Sequence, residues 1–198
     1  MIDGISKPRV LHVSEGTPGQ RKLRVEVMTR QAGRPCSSTD VVRAPLTLPD
    51  RWWDDLRDAL DRLAGVPTDR GRCESGRVVV GIREHLGVDV DPAALRWETV
   101  HGDLHWANVF ADPFGLVDWD HWGRGLVGYD AATLYCHALL EPETAARVRT
   151  TFAHVLDTQD GVHAQMSVIA RLLKRARLGD FPDLVPELRR LAGRLIAG

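Results

Sequence analysis

The sequence predicts an α+β fold in which a short antiparallel strand pair precedes a long, mostly helical body. Two changes of period carry this reading. Lys22 to Arg30 alternates, with Leu23, Val25 and Val27 on one face and Lys22, Arg24 and Glu26 on the other, the pattern of a strand with one solvated face. From Pro49 the apolar spacing lengthens to that of a helix, and after Gly128 it stays helical to the end of the chain.

The elements follow in order. Arg9 to Val13 is short and apolar, and the turn formers Glu15-Gly16-Thr17-Pro18-Gly19 separate it from the Lys22–Arg30 strand. Gln31 to Ser38, with Gly33 and Pro35, reads as a connector. Trp52, Trp53, Leu56, Leu60 and Leu63 form one apolar stripe, with most of the acidic residues between them off it, which predicts an amphipathic helix. A second helix is expected over Arg77 to Leu86, with Ser75 as its cap and Gly87 at its end. A hairpin is expected where Asn108-Val109-Phe110 and Leu116-Val117-Asp118 flank the turn Asp112-Pro113-Phe114-Gly115. Four helices then cover about Asp130–Leu140, Glu143–Leu156, Val162–Leu178 and Phe181–Ala197. The domain reading is therefore 1–30 strands, 31–38 linker and 39–198 helical body.

Composition narrows the function. The 198 residues are 43% hydrophobic and 27% charged with a formal net charge of −1, so neither nucleic acid nor an anionic membrane is an implied partner. Cys36, Cys73 and Cys136 are odd in number and widely spaced, which gives no disulfide framework and no CxxC metal site. No basic-then-apolar leader and no membrane-spanning run is visible, so the expected location is cytoplasmic.

The chemistry concentrates in His101-Gly102-Asp103-Leu104-His105-Trp106-Ala107-Asn108 and Leu116-Val117-Asp118-Trp119-Asp120. An Asp and an Asn five positions apart, with a second Asp ten residues further on, is the order of base, first metal ligand and second metal ligand in a phosphoryl-transfer loop. Gly102 permits the sharp turn that would present Asp103 to an acceptor hydroxyl. Asn108 and Asp118 supply oxygen ligands suited to Mg²⁺. Asp120 reads as a polar turn residue, with a second metal ligand as the alternative. A competing reading sets His101, Asp103 and His105 on one face of a strand as the metal ligands of a hydrolase; a bland reading makes the loop merely polar.

These residues resemble the aminoglycoside phosphotransferase family, small-molecule kinases with a protein-kinase-like fold. The likeness extends through Gly128-Tyr129-Asp130-Ala131-Ala132 and, more loosely, the helical tail. The resemblance implies Asp103 as catalytic base, Asn108 and Asp118 as Mg²⁺ ligands, and His101 and Asp130 as structural supports of the loop. It implies adenine contacts at Met28, Thr29 and Arg30, ATP or another nucleoside triphosphate as donor, and a small hydroxylated acceptor such as an aminoglycoside-like antibiotic. The departure is at the N-terminus: only residues 1–30 precede the linker, the glycine loop is missing, and neither Lys7 nor Lys22 is placed as a phosphate lysine. The chain is thus expected to carry a remnant of the N-terminal lobe. The alternative it leaves open is a catalytically silent module that binds a ligand or partner. On the same view Glu141, Glu143, Asp157 and Asp160 either line a pocket for a polycation or are solvated helix-end charges.

Overall fold

In the computed structural model, which describes residues 2–17, 22–71 and 74–198, strands β1 (Val10–Gly16) and β2 (Leu23–Met28) pair antiparallel from Val10↔Met28 to Gly16↔Leu23. β1 runs through Gly16, so the strand takes up part of the expected turn, whose Pro18 and Gly19 lie outside the described residues. Leu23, Val25 and Val27 share one face of this pair and each is at least half exposed. A two-stranded ribbon with an uncovered apolar face is marginal by itself.

The linker is a third rail of the central hairpin. Cys36 N–H donates to Val109 O (2.8 Å), Ala111 N–H to Arg34 O (3.0 Å), and Pro35 bridges Phe110. That hairpin consists of β4 (Val109–Phe110) and β5 (Gly115–Leu116), joined through a cis Asp112–Pro113 bond. On its other side Leu116 N–H donates to Ser6 O (2.9 Å), and Ile2 and Ile5 are buried in the core. Residues 2–6 therefore pack with the helical body, apart from the β1–β2 pair.

Helix α1 (Asp50–Ala64) buries Trp52, Trp53, Leu56 and Leu63, with Leu60 half-buried. The two tryptophans fasten the helix to the hairpin. Trp52 lies edge-on to Trp53 (5.0 Å) and parallel to Trp106 (6.4 Å), and its Nε1–H donates to Phe110 O at 2.9 Å. Buried indoles supply large apolar area, and the one polar atom finds a partner. Helix α2 (Ser75–Leu86) begins one residue earlier than a Ser75 cap would require: Glu74 holds the N-cap position and no side chain caps it. Gly87 ends it at φ +71°, as a C-terminal glycine does.

Two strands were not legible in the sequence. β3 (Trp97–Val100) pairs antiparallel with β6 (Gly123–Leu126), Trp97 opposite Leu126 and Val100 opposite Gly123. They bracket the motif region and fix where its loop begins and ends. The C-terminal helices are α3 (Tyr129–His137), α4 (Pro142–Thr151), α5 (Ala153–Leu156), α6 (Gln159–Ala176) and α7 (Val185–Ala197). The single helix expected over 143–156 breaks at Phe152, whose backbone leaves the helical region (φ −111°, ψ 20°) while its ring is buried. α6 starts earlier than its apolar pattern because the Thr158 side chain caps Gly161 N–H. α7 starts later because Phe181 is left-handed (φ +49°) and a short 3-10 turn follows it. Helix α3 is buried along Asp130–His137, which places it at the centre of the body, beneath the motif loop.

Candidate active site

The motif loop leaves β3 at Val100 and is anchored from below. Asp130, on the first turn of α3, is 5% exposed. Its Oδ2 accepts from His101 N–H (2.6 Å) and its Oδ1 from Gly102 N–H (3.0 Å). One carboxylate thus satisfies two consecutive backbone donors that would otherwise be buried without partners. Gly102 sits at φ +86°, and a Cβ there would lie 2.4 Å from His121 O, so only glycine fits the turn.

His101 ties this loop to the hairpin. Its ring is fully buried, faces Trp119 at 4.6 Å, and its Nε2–H donates to Val117 O at 2.9 Å. Val117 N–H in turn donates to Asn108 O (3.0 Å), so the residue preceding Asp118 is bonded to both His101 and Asn108. Asp118 itself is exposed and left-handed, at φ 64° and ψ 64°. A non-glycine residue held there costs of order 1 kcal/mol, and such outliers concentrate at functional sites.

Asn108 is 6% exposed and donates through Nδ2 to Asp103 O (3.0 Å) and toward His105 Nε2 (3.2 Å). That orientation leaves Oδ1 as the atom free to meet a cation. Asp103, half-buried, accepts from Arg171 Nη1 at 3.1 Å through Oδ1 and lies 3.7 Å from His105 Nε2 through Oδ2. Burial alone would push its pKa up, but the Arg171 guanidinium and then His105 outweigh it and hold the carboxyl below its usual range. The group is therefore a carboxylate at neutral pH, in the form that can take a proton.

The structure brings Asp103, Asn108, His101 and Asp130 into one bonded unit, with Asp118 directly behind Val117. The hydrolase alternative loses its premise, because 101–105 is loop rather than strand and His101 Nε2 is committed to a carbonyl. Among the described residues no three His, Cys, Asp or Glu side chains are arranged to hold a metal ion. An Asn–Asp pair of oxygens does suit Mg²⁺, which completes its shell with water and phosphate. Met28, Thr29 and Arg30 lie at the end of β2; Thr29 N–H is already donated to Arg9 O (2.8 Å) and its hydroxyl accepts from Arg9 N–H (2.8 Å). The four acidic residues considered for a polycation pocket do not converge. Glu141 caps α4, Asp157 pairs with Arg149, and only Asp160 lines a cavity of about 320 Å³, together with Asp61, Glu98 and Asp130.

Three participants escaped the sequence reading. Arg171 looks like one of several basic residues on a helix, although its spacing from Ala164 and Val168 puts it on the buried stripe. Asp40, from the segment after the linker, lies 3.6 Å from His105 Nδ1 and 3.6 Å from Arg175. Glu98 lies on β3 and accepts from Gly128 N–H at 2.7 Å.

The buried titratable groups give a pH prediction. Burial lowers His101 to about 4 and His137 to about 3, from the ordinary histidine value of 6.5. Burial raises Glu98 to about 7 from 4.5 and Asp130 to about 6 from 3.8. The histidine contribution to stability is complete above pH 6.5 and is lost as pH falls below it. The carboxyl contribution is complete at low pH and is lost as pH rises toward the folded values of 6 and 7. Between pH 4.5 and 6 the two effects oppose each other and the stability curve should be flat. Glu98→Gln removes one carboxyl, so that variant should lose stability on acidification from pH 6.5 to 4.5, by about 1.4 kcal/mol per pH unit at the steepest. Denaturant melts across this range measure it; a variant curve parallel to wild type would show that Glu98 holds no extra proton.

A motif loop pinned by a helix-borne carboxylate, followed by a hairpin that ends in an acidic residue, sits in a protein-kinase-like fold. No model of a known family matches the chain, and no curated protein matches it. Solved structures do. The chain is similar to an aminoglycoside phosphotransferase, APH(2")-IIia, in complex with GDP and kanamycin, with a TM-score of 0.60 at 15% identity over 98% of this chain and 76% of that one. It is similar to wild-type aminoglycoside 2'-phosphotransferase-IIIa with GDP (TM-score 0.55, 16% identity, 98% and 76%). It is also similar to the amicoumacin kinase hAmiN in complex with AMP-PNP, Ca2+ and Ami (TM-score 0.54, 15% identity, 97% and 72%). The shared property is the fold, which is that of the aminoglycoside phosphotransferases.

Proposed function

We propose that this chain is an O-phosphotransferase that moves the γ-phosphoryl group of a Mg²⁺-bound nucleoside triphosphate, ATP in the first instance, to a hydroxyl of a small molecule. The observation that carries the proposal is the bonded unit in which Asp130 fixes the backbone at His101 and Gly102, leaving Asp103 and Asn108 beside the end of the Asp118 hairpin. Asp103 would accept the hydroxyl proton as the acceptor oxygen bonds to phosphorus and the β–γ bridging oxygen leaves with the nucleoside diphosphate. Asn108 Oδ1 and the Asp118 carboxylate would hold Mg²⁺, which when bound neutralises phosphate charge. Support for a nucleotide donor comes from the GDP and AMP-PNP complexes of the neighbours, and kanamycin and amicoumacin make aminoglycoside-like antibiotics the first acceptors to test. The site itself acts at a dissolved small molecule and calls for neither nucleic acid nor membrane, and a cytoplasmic, nucleotide-rich location would serve it.

A silent reading has one observation in its favour. The β1–β2 pair is exposed on both faces, and Lys22 precedes β2 as an exposed residue. Phosphate positioning would then rest on the helical body alone. Calorimetry with Mg-ATP and Mg-GTP tests the metal assignment: Asp118→Ala should weaken Mg²⁺-dependent nucleotide binding at least about tenfold, because a metal ligand acts on the ground-state complex. Equal affinity in wild type and variant would reject it.

A further inference from the structure

We infer that Arg171 is a positioning residue for Asp103, an arm from α6 that sets the orientation of the proposed base; the inference rests on the assignment of Asp103 above. Arg171 lies on the buried side of α6, seven residues after Ala164 and three after Val168, where an apolar residue would extend the core. Its guanidinium crosses 68 positions of sequence to meet Asp103 Oδ1 through Nη1 at 3.1 Å. The cation stands 5.7 Å from the Tyr129 ring centroid, next to the Asp130 anchor. Nε and Nη2 are enclosed and have no hydrogen-bond partner among the described residues. A partly buried guanidinium with two enclosed, unpaired donors is a poor choice for stability, and packed apolar side chains in such places usually do as well or better. What the arginine adds is a fixed cation against one carboxylate oxygen.

The arrangement divides the work on the loop. Asp130 holds the backbone of His101 and Gly102, while Arg171 holds the side chain of the next residue. With Oδ1 occupied by Arg171, Oδ2 is the oxygen left toward His105 and the acceptor side. A proton acceptor restricted to one rotamer presents a defined lone pair to the hydroxyl, and small angular errors there cost rate more than binding. The neighbouring charges are matched in the same way: Asp40 faces His105 and Arg175, and Arg175 also meets Asp180 at 2.9 Å. Within this network Arg171 makes the direct hydrogen bond to the proposed base, and His105 Nε2 stands 3.7 Å from its other oxygen.

The test uses the full chain with Mg-ATP and Mg-GTP, kanamycin as probe acceptor, and hydrolysis of the nucleotide by water as a parallel readout. Arg171→Met should lower kcat by about 10- to 100-fold while KM and calorimetric affinity for the nucleotide stay within about twofold. Arg171→Lys should recover much of the loss. In an Asp103→Asn background, Arg171→Met should cost no further rate, since its effect passes through that carboxylate. Unchanged kcat in Arg171→Met, or an equal loss with and without the Asp103 carboxylate, would overturn the positioning role while leaving the base in place. If Arg171→Met fails to fold, the decision falls to Arg171→Lys and Arg171→Gln, and an Arg171→Gln as fast as wild type overturns the role. A wild type that Asp103→Asn does not slow, or that turns over neither reaction, would remove the assignment of the base itself and this inference with it.

Discussion

Asp103→Asn should lower transfer by about 10²- to 10⁴-fold and leave Mg-nucleotide affinity nearly unchanged. The substitution keeps the shape of the side chain and one oxygen for Arg171 Nη1, but removes the charge proposed to accept the hydroxyl proton. The backbone contact that positions Asn108 is made by Asp103 O and survives. The effect should therefore appear in kcat, with calorimetric binding as the control. A variant with wild-type kcat would show that the acceptor loses its proton elsewhere, and a variant that loses nucleotide affinity in step with kcat would make Asp103 a ground-state ligand.

Asp130→Ala should be the most damaging single change to the structure of the site. It strips the partners from His101 N–H and Gly102 N–H in a place where Asp130 is 5% exposed. Each buried donor left unpaired costs about 1–3 kcal/mol, so a loss of about 2–6 kcal/mol is expected in denaturant melts, a large part of ordinary domain stability. Transfer should vanish with it, because both residues before Asp103, the proposed base, lose their fixed backbone. Asp130→Asn should be intermediate, since its amide offers one acceptor where two are needed. Stability within about 0.5 kcal/mol of wild type for Asp130→Ala would mean that the loop finds other partners and is not held from α3.

Much of this arrangement was legible because it is written in short-range pattern. The tryptophan–leucine stripe of α1, the hairpin around Asp112–Gly115 and the glycines at 87, 102 and 128 all announce local geometry. β3 and β6 were not, because each is four residues long and Gly123 and Gly125 erase any alternation in β6; their pairing exists only once residues 97–100 and 123–126 meet. The break at Phe152 carries no proline or glycine to mark it, and it arises where a buried ring leaves the helical backbone. In the site, the loop and hairpin residues stand in one motif, whereas Arg171 and Glu98 act across 68 and 30 positions and have no local signature. The charge of Arg171 suggests a solvated face, while its register places it on the core side of α6.

In the proposed site Asn108 and Asp118 share one Mg²⁺ on a nucleotide whose terminal phosphate faces Asp103. A crystal structure of the chain with Mg²⁺ and a non-hydrolysable triphosphate measures it directly. The metal should lie about 2.1 Å from both Asn108 Oδ1 and an Asp118 carboxylate oxygen, with the γ-phosphate on the side of Asp103. A metal–nucleotide bound elsewhere, or Asn108 and Asp118 turned to different ions with Asp103 remote from both, would contradict it.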